Sequence, residues 1–172
     1  TSDLSGAFVA GSCSNAGTYT NTWTVTDDCG NTSAVYTQVI TITDLTAPTW
    51  TTAAGALDAT LECSDAAGIA AAQAQFPVAS DNCDGDVTNI VKVSGAFVAG
   101  SCPNAGTYTN TWTVTDDCGN TSAVYTQVIT LTDLTAPTWT TAVGSLNRSV
   151  ECSNTSGLAA AQALFPVASD NC

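Results

Sequence analysis

The chain has 172 residues, with two basic side chains, 15 acidic ones, no histidine and no methionine, for a formal net charge of −13. Nucleic acids and anionic membrane surfaces are held by lysine and arginine that displace counterions from phosphate, so a chain whose only cations are Lys92 and Arg148 excludes both partners. Without histidine no Ser–His pair can form, and the adjacent Asp27 and Asp28 would point to opposite faces of a strand, so an enzyme is not expected.

The dominant pattern is repetition. The segment SGAFVAGSC at Ser5 returns at Ser94, 89 residues later, and the register then holds to the last residue. Of the 79 positions that align, 13 differ and 66 are identical, which is the signature of a tandem array built from one folding unit. The chain opens at the repeat position of Ile90 and stops at Cys172, the equivalent of Cys83. This frame suggests a window on a longer polymer, or a subunit whose half-domains are completed by neighbours.

In chain order, Thr18–Asn31 (TYTNTWTVTDDCGN) alternates, with Tyr19, Trp23 and Val25 on one face and Thr20, Thr22, Thr24 and Thr26 on the other, so it predicts a half-buried strand. DDCGN is turn chemistry, and SAVYTQVITIT, with Tyr36, Ile40 and Ile42 on one side, predicts the returning strand of a hairpin. After Pro48 interrupts the pattern, Leu57, Ala59, Leu61 and Cys63 alternate with Asp58, Thr60 and Glu62 as a further strand. The Ala-rich stretch Ser64–Gln75 predicts one or two helical turns, capped by Ser64 or Asp65. FPVAS and VTNIVKV add two short strands around the turn DNCDGD.

Several short strands within 89 residues predict an all-β fold of tandem immunoglobulin-like antiparallel sandwiches, with a short helical turn in the Ala-rich segment. The TDLTAP linker marks the boundary. It divides the chain into a leading half-repeat (1–44), a complete central repeat (45–133) and a trailing half-repeat (134–172).

Eight cysteines occupy four repeat-related pairs of positions: Cys13 and Cys102, Cys29 and Cys118, Cys63 and Cys152, Cys83 and Cys172. An even count without C-x-x-C spacing or histidine reads as a disulfide framework formed in an oxidising compartment, hence a secreted chain. No apolar run approaches the roughly 20 residues that span a bilayer, so membrane insertion is not expected.

The succession LECS, ASDNCDGDVT, GSCPNAGTYTNTWTVTDDCGNTS and QVITLTDLTAP resembles the hyalin-repeat (HYR-like) immunoglobulin modules of very large secreted surface proteins of Bacteroidota, including gliding-motility adhesins. The resemblance covers the full chain and implies a head-to-tail array of similar repeats at the cell surface.

Sandwich geometry suggests the pairing. A strand ending at Cys63 finishes beside the SCPNAG loop, which predicts Cys63–Cys102, and the DNCDGD and DDCGN turns meet at the opposite end, which predicts Cys83–Cys118. Cys13, Cys29, Cys152 and Cys172 are then left for adjacent repeat material. The same topology gathers Asp81, Asp84 and Asp86 from one turn, Asp116 and Asp117 from the facing turn, and Asp44 from the linker, a carboxylate set suited to calcium although no cofactor is required by the fold. The competing reading is that these residues only shape turns by bonding their own backbone. The functional expectation is a structural stalk or filament segment of an extracellular adhesin. The alternative is a discrete module that binds a surface glycan or protein through exposed loops.

Overall fold

The computed structural model describes residues 2–13 and 15–172. Its strands are β1 (Ser2–Leu4), β2 (Val9–Ala10), β3 (Gly17–Thr24), β4 (Tyr36–Ile42), β5 (Thr49–Trp50), β6 (Ala59–Glu62), β7 (Ala79–Ser80), β8 (Ile90–Val93), β9 (Val98–Ala99), β10 (Gly106–Val114), β11 (Tyr125–Thr132), β12 (Thr138–Trp139) and β13 (Ala168–Ser169). Two helices interrupt them, α1 (Ala66–Gln73) and α2 (Thr155–Gln162). The chain is all-β and immunoglobulin-like, as the alternation of its sequence predicts. It divides into two compact units, and β10 and β11 run through both.

The first unit comprises Thr1–Asp58, Ala74–Ala96 and Tyr108–Val128. In it β3 is the axis of an antiparallel sheet, with β1 and β2 along one edge and β4 along the other, in register from Gly17↔Ile42 to Trp23↔Tyr36. A second sheet in the same unit sets β10 between β8 and β11, with β8 paired from Thr111↔Val93 to Val114↔Ile90. The short β5–β7 pair supplies the facing layer, from which Trp50 meets the Tyr125 ring edge-on at 5.6 Å.

Trp112, 1 % exposed, is the largest side chain of this core. Phe76 and Tyr125 approach it edge-on at 6.1 and 6.0 Å, and the Lys92 ammonium sits 5.2 Å from its ring. The buried stripe also includes two amides. The Asn110 amide donates to Gln127 Oε1 at 3.0 Å, Gln127 Nε2 donates to the Leu57 carbonyl at 2.6 Å, and Asn110 Oδ1 accepts from the Gly95 N–H at 3.3 Å. Burial of polar amides costs little once their hydrogen bonds are made, and here they stitch two strands to the loop before β6.

The second unit comprises Ala59–Gln73, Phe97–Thr107 and Ile129–Cys172. Here β6 pairs in parallel with the end of β11, from Ile129↔Ala59 to Thr132↔Glu62, while β9 pairs with the start of β10 and β12 with β13, both antiparallel. Helix α1 starts where Asp65 accepts the Gly68 N–H at 2.9 Å, so of the two predicted caps Asp65 is used; Asn154 does the same for α2 with Gly157 at 2.8 Å.

Two expected strands shorten. FPVAS pairs only at Ala79–Ser80, because Pro77 offers no N–H and the Val78 carbonyl is bonded instead by the Thr51 N–H at 2.8 Å. The strand expected from Leu57 begins at Ala59, because the Leu57 carbonyl is taken by Gln127. Each DDCGN turn places its glycine at positive φ, 90° at Gly30 and 93° at Gly119, a conformation that only glycine adopts without strain.

Candidate functional site

Among the described residues, two places combine cysteines with acids, one in each unit. In the first, the loop between β2 and β3 carries Cys13 and Asn15 into a crevice also lined by Asp44, Cys83, Asp84, Asp117 and Cys118. Cys13 is bonded to Cys118 with a Cα–Cα distance of 5.1 Å, inside the range a disulfide spans. The Asn15 amide donates to the Cys83 carbonyl, and the Asp117 N–H donates to Asp84 Oδ2 at 3.2 Å, which joins the DNCDGD and DDCGN turns.

The predicted meeting of those turns is therefore present, but the predicted Cys83–Cys118 bond is not. Cys118 is taken by Cys13, which enters the same crevice from the leading half-repeat. The Cys63–Cys102 bond is likewise absent, because Cys63 is bonded to Cys172 with Cα atoms 5.9 Å apart. The Asn171 amide fixes that approach by donating to Ser64 Oγ at 2.8 Å and to Glu62 Oε1 at 3.3 Å, seating the segment before Cys172 against the end of β6. Cys29, Cys83, Cys102 and Cys152 carry no disulfide. The prediction failed because it closed each domain on itself, whereas both bonds leave the repeat in which they start.

Among the acids, Asp44, Asp81 and Asp116 bring carboxylate oxygens within 4.8 Å of one another. Asp44 and Asp116 are buried. Asp81 Oδ1 accepts the Cys83 and Asp84 N–H groups at 2.8 and 3.1 Å, while its Oδ2 is buried without a hydrogen bond. At Asp116, burial pushes the pKa up but is outweighed by the Asn120 side-chain and backbone donors, with help from the Cys118 and Gly119 N–H groups, so the carboxyl lies below its ordinary range. Burial, then the charges of Asp44, Asp81 and Asp116, push the Cys83 thiol up. Asp84 and Asp117 lie beside this group, bonded to each other, and Asp86 is exposed with its N–H on Asp84 at 3.0 Å. Three of the six predicted acids are thus drawn together.

In the second unit Glu62 and Asp133 stand close to the sulfurs of Cys63 and Cys172. The disulfide commits both sulfurs, and Glu62 instead accepts the Leu134 N–H and the Thr135 hydroxyl, both at 3.2 Å, which anchors the second TDLTAP linker.

Residues 51–131 match the family model of the HYR-like domain with 4 cysteines. That stretch is similar to a HYR-like module. No curated protein and no solved structure shows significant similarity to the chain. The four cysteines of the HYR-like module are Cys63, Cys83, Cys102 and Cys118, and the two that are bonded, Cys63 and Cys118, reach Cys172 and Cys13 outside the matched stretch.

Sequence reasoning overlooked Asn110 and Gln127, the buried amides of the module. The signal was available: Asn110 falls between Tyr108 and Trp112, and Gln127 between Tyr125 and Ile129, at the inward positions of the period-two pattern.

Proposed function

We propose that this chain is a structural repeat segment of an extracellular filament or stalk, of the kind carried by large secreted surface adhesins of Bacteroidota. The observation that carries the reading is that both disulfides leave the HYR-like module, one toward the preceding repeat and one toward the following repeat. A discrete binding domain has no need of such bonds, whereas an array under load gains covalent continuity between neighbours. Secretion to the cell surface fits the disulfides, and among the described residues no helix is long and apolar enough to cross a membrane. The partners are neighbouring repeats, head to tail, and the chain is not assigned an enzymatic role.

Electron microscopy of the native material tests this. Beads on a thin fibre with an axial period of roughly 40 Å, the length of strands of eight to ten residues plus a linker, are the expected image. Compact isolated globules would favour the glycan- or protein-binding module instead.

A second reading concerns calcium. The buried, unbonded Asp81 Oδ2 beside Asp44 and Asp116 fits a hard cation that takes oxygen ligands, and these three residues would hold it at the entry of the central repeat. When bound, the ion would offset two of the three negative charges packed together there. The midpoint of thermal unfolding should rise with calcium and fall with chelator; an unchanged midpoint removes the ion.

A further inference from the structure

The loop after β5 and the start of β11 enclose a cleft of about 510 Å³, inside the roughly 300 to 1,000 Å³ range of small-molecule sites. Trp50 and residues 52–54 line one side and residues 124–126 the other, all of them in the first unit. Two crossed hydrogen bonds set the frame. The Trp50 indole N–H donates to the Ala123 carbonyl at 2.7 Å, and the Tyr125 hydroxyl donates to the Ala53 carbonyl at 2.8 Å, so each side ties the other down. With these polar groups committed to the frame, the two rings supply the cleft with apolar and π surface.

One stretch of backbone here is open. In an antiparallel strand the N–H and C=O of alternate residues point to opposite edges. On the edge of β11 that β6 joins, the Thr132 carbonyl accepts the Cys63 N–H at 2.9 Å, and the Val128 N–H, four residues earlier, donates to Asp58 Oδ1 at 2.8 Å. Thr126 shares that parity, so its own N–H and C=O turn to the same edge. Among the described residues no strand takes them, because β6 pairs with β11 only from Ile129 onward. Asp58 closes the edge on one side of Thr126 and the Trp50 indole on the other, which leaves one donor and one acceptor. Two hydroxyls stand nearby: that of Thr126 is exposed, and that of Thr52 accepts the Val78 N–H at 2.8 Å, which fixes its oxygen and leaves its proton to donate.

Charge decides the class of ligand. The chain carries 15 acids and two cations, yet among the described residues neither a carboxylate nor a cation lines this cleft. An anion would find no counter-charge here and a metal ion no carboxylate. A wholly apolar ligand would shut the Thr126 N–H and C=O away from water without partners. An extended peptide adding to the edge needs a run of alternate N–H and C=O groups, and a single residue offers them. A neutral molecule with an apolar face and a rim of groups that both donate and accept meets every condition, and a sugar ring is such a molecule. We infer that this cleft binds a neutral saccharide, with its C–H face on the half-buried Trp50 and its hydroxyls on the Thr126 backbone and the two threonine side chains. The inference goes beyond the stalk reading and does not rest on it.

Ala54 is the position from which to block the cleft. It is exposed, and its repeat equivalent is Val143, so the loop accepts a larger side chain there.

The test titrates the full-length, ¹⁵N-labelled chain with the neutral oligosaccharides maltotriose, cellotriose and triacetylchitotriose, with trigalacturonate as the anionic comparison and a threonine-rich peptide as the strand comparison. Saturable NMR shifts of the Thr126 amide and the Trp50 indole N–H with at least one neutral sugar, and none with the two comparisons, are the expected result. Ala54→Trp should abolish those shifts and leave the thermal midpoint unchanged, because the residue lies outside the core. Thr126→Pro, which deletes the edge N–H at a place where a strand tolerates proline, should weaken binding about fivefold to tenfold. No shift with any neutral sugar up to its solubility, shifts that survive Ala54→Trp, or equal binding of trigalacturonate would overturn the site. Shifts of the same groups with the peptide alone would overturn it in favour of strand addition. None of these outcomes alters the fibre expected in electron microscopy, so the stalk reading stands or falls separately.

Discussion

Strands β4 and β11 are nearly the same sequence in two different situations. Tyr36–Ile42 and Tyr125–Leu131 differ only at the last position, yet Tyr36 is 69 % exposed where Tyr125 is 4 %, and Ile40 is 42 % exposed where Ile129 is fully buried. Both strands pair with a preceding antiparallel neighbour, so their backbones are alike. What differs is the cover. The Trp50 ring lies on Tyr125, the Tyr125 hydroxyl donates to the Ala53 carbonyl at 2.8 Å, and the Leu57 carbonyl and Asp58 carboxylate bond Gln127 and the Val128 N–H. No described segment covers β4 in this way. Alternation in a sequence specifies which face is apolar; a separate length of chain, some 70 residues away, decides whether that face becomes a core.

Truncation at the heart of each hairpin gives the largest test of this contrast. Trp112→Ala should cost about 3 to 5 kcal/mol, the range for emptying a buried aromatic site, whereas Trp23→Ala at the equivalent position should cost at most about 1 kcal/mol in urea unfolding of the full chain. Equal losses would mean that the leading hairpin is covered in solution. The amides sharpen the comparison at a smaller scale. Gln127→Ala removes the acceptor of the Asn110 amide and the donor to the Leu57 carbonyl and should cost about 1 to 3 kcal/mol, against less than about 0.5 kcal/mol for the exposed Gln38→Ala.

The smallest effect should be the same on both sides. Asp27 is held below its ordinary pKa by the Asn31 side chain and backbone, and Asp116 is also held below it by Asn120. A depressed carboxyl contributes stability that is present above its unfolded value of 3.8 and is lost as the pH falls through the lower folded value. Asn31→Ala and Asn120→Ala should each raise that carboxyl toward 3.8, seen by NMR titration as similar upward shifts. A large difference between them would show that the cover, and not the turn alone, sets the turn's electrostatics.

The hairpins, the DDCGN turns and the Asp65 cap were legible because each is decided within a few residues: alternation, a positive-φ glycine, a side-chain acceptor three positions before its donor. The HYR-like resemblance was legible for the same reason, being carried by short motifs. The disulfide partners were not, since all four positions recur in each repeat and spacing alone cannot tell a bond within a repeat from one to its neighbour. The acids were legible in part: Asp44, Asp81 and Asp116 converge, whereas Asp86 is exposed, outside that group, with its N–H on Asp84. The inward amides were missed for a chemical reason, since Asn110 and Gln127 look like surface residues until each is seen to be the other's partner.

The Cys63–Cys172 bond also has a mechanical meaning. If the 109 residues of separation between these cysteines unravelled, an open chain would lengthen by roughly 380 Å, at about 3.5 Å per residue. With the bond closed, a pull applied outside the two cysteines is transmitted through sulfur, and that slack is never released. Where such bonds succeed one another along an array, tension is borne by a covalent line that bypasses most of each fold. In the proposed stalk, such an array would stay short and stiff under tension even if individual sandwiches melted, and would become extensible only when a reductant opened it.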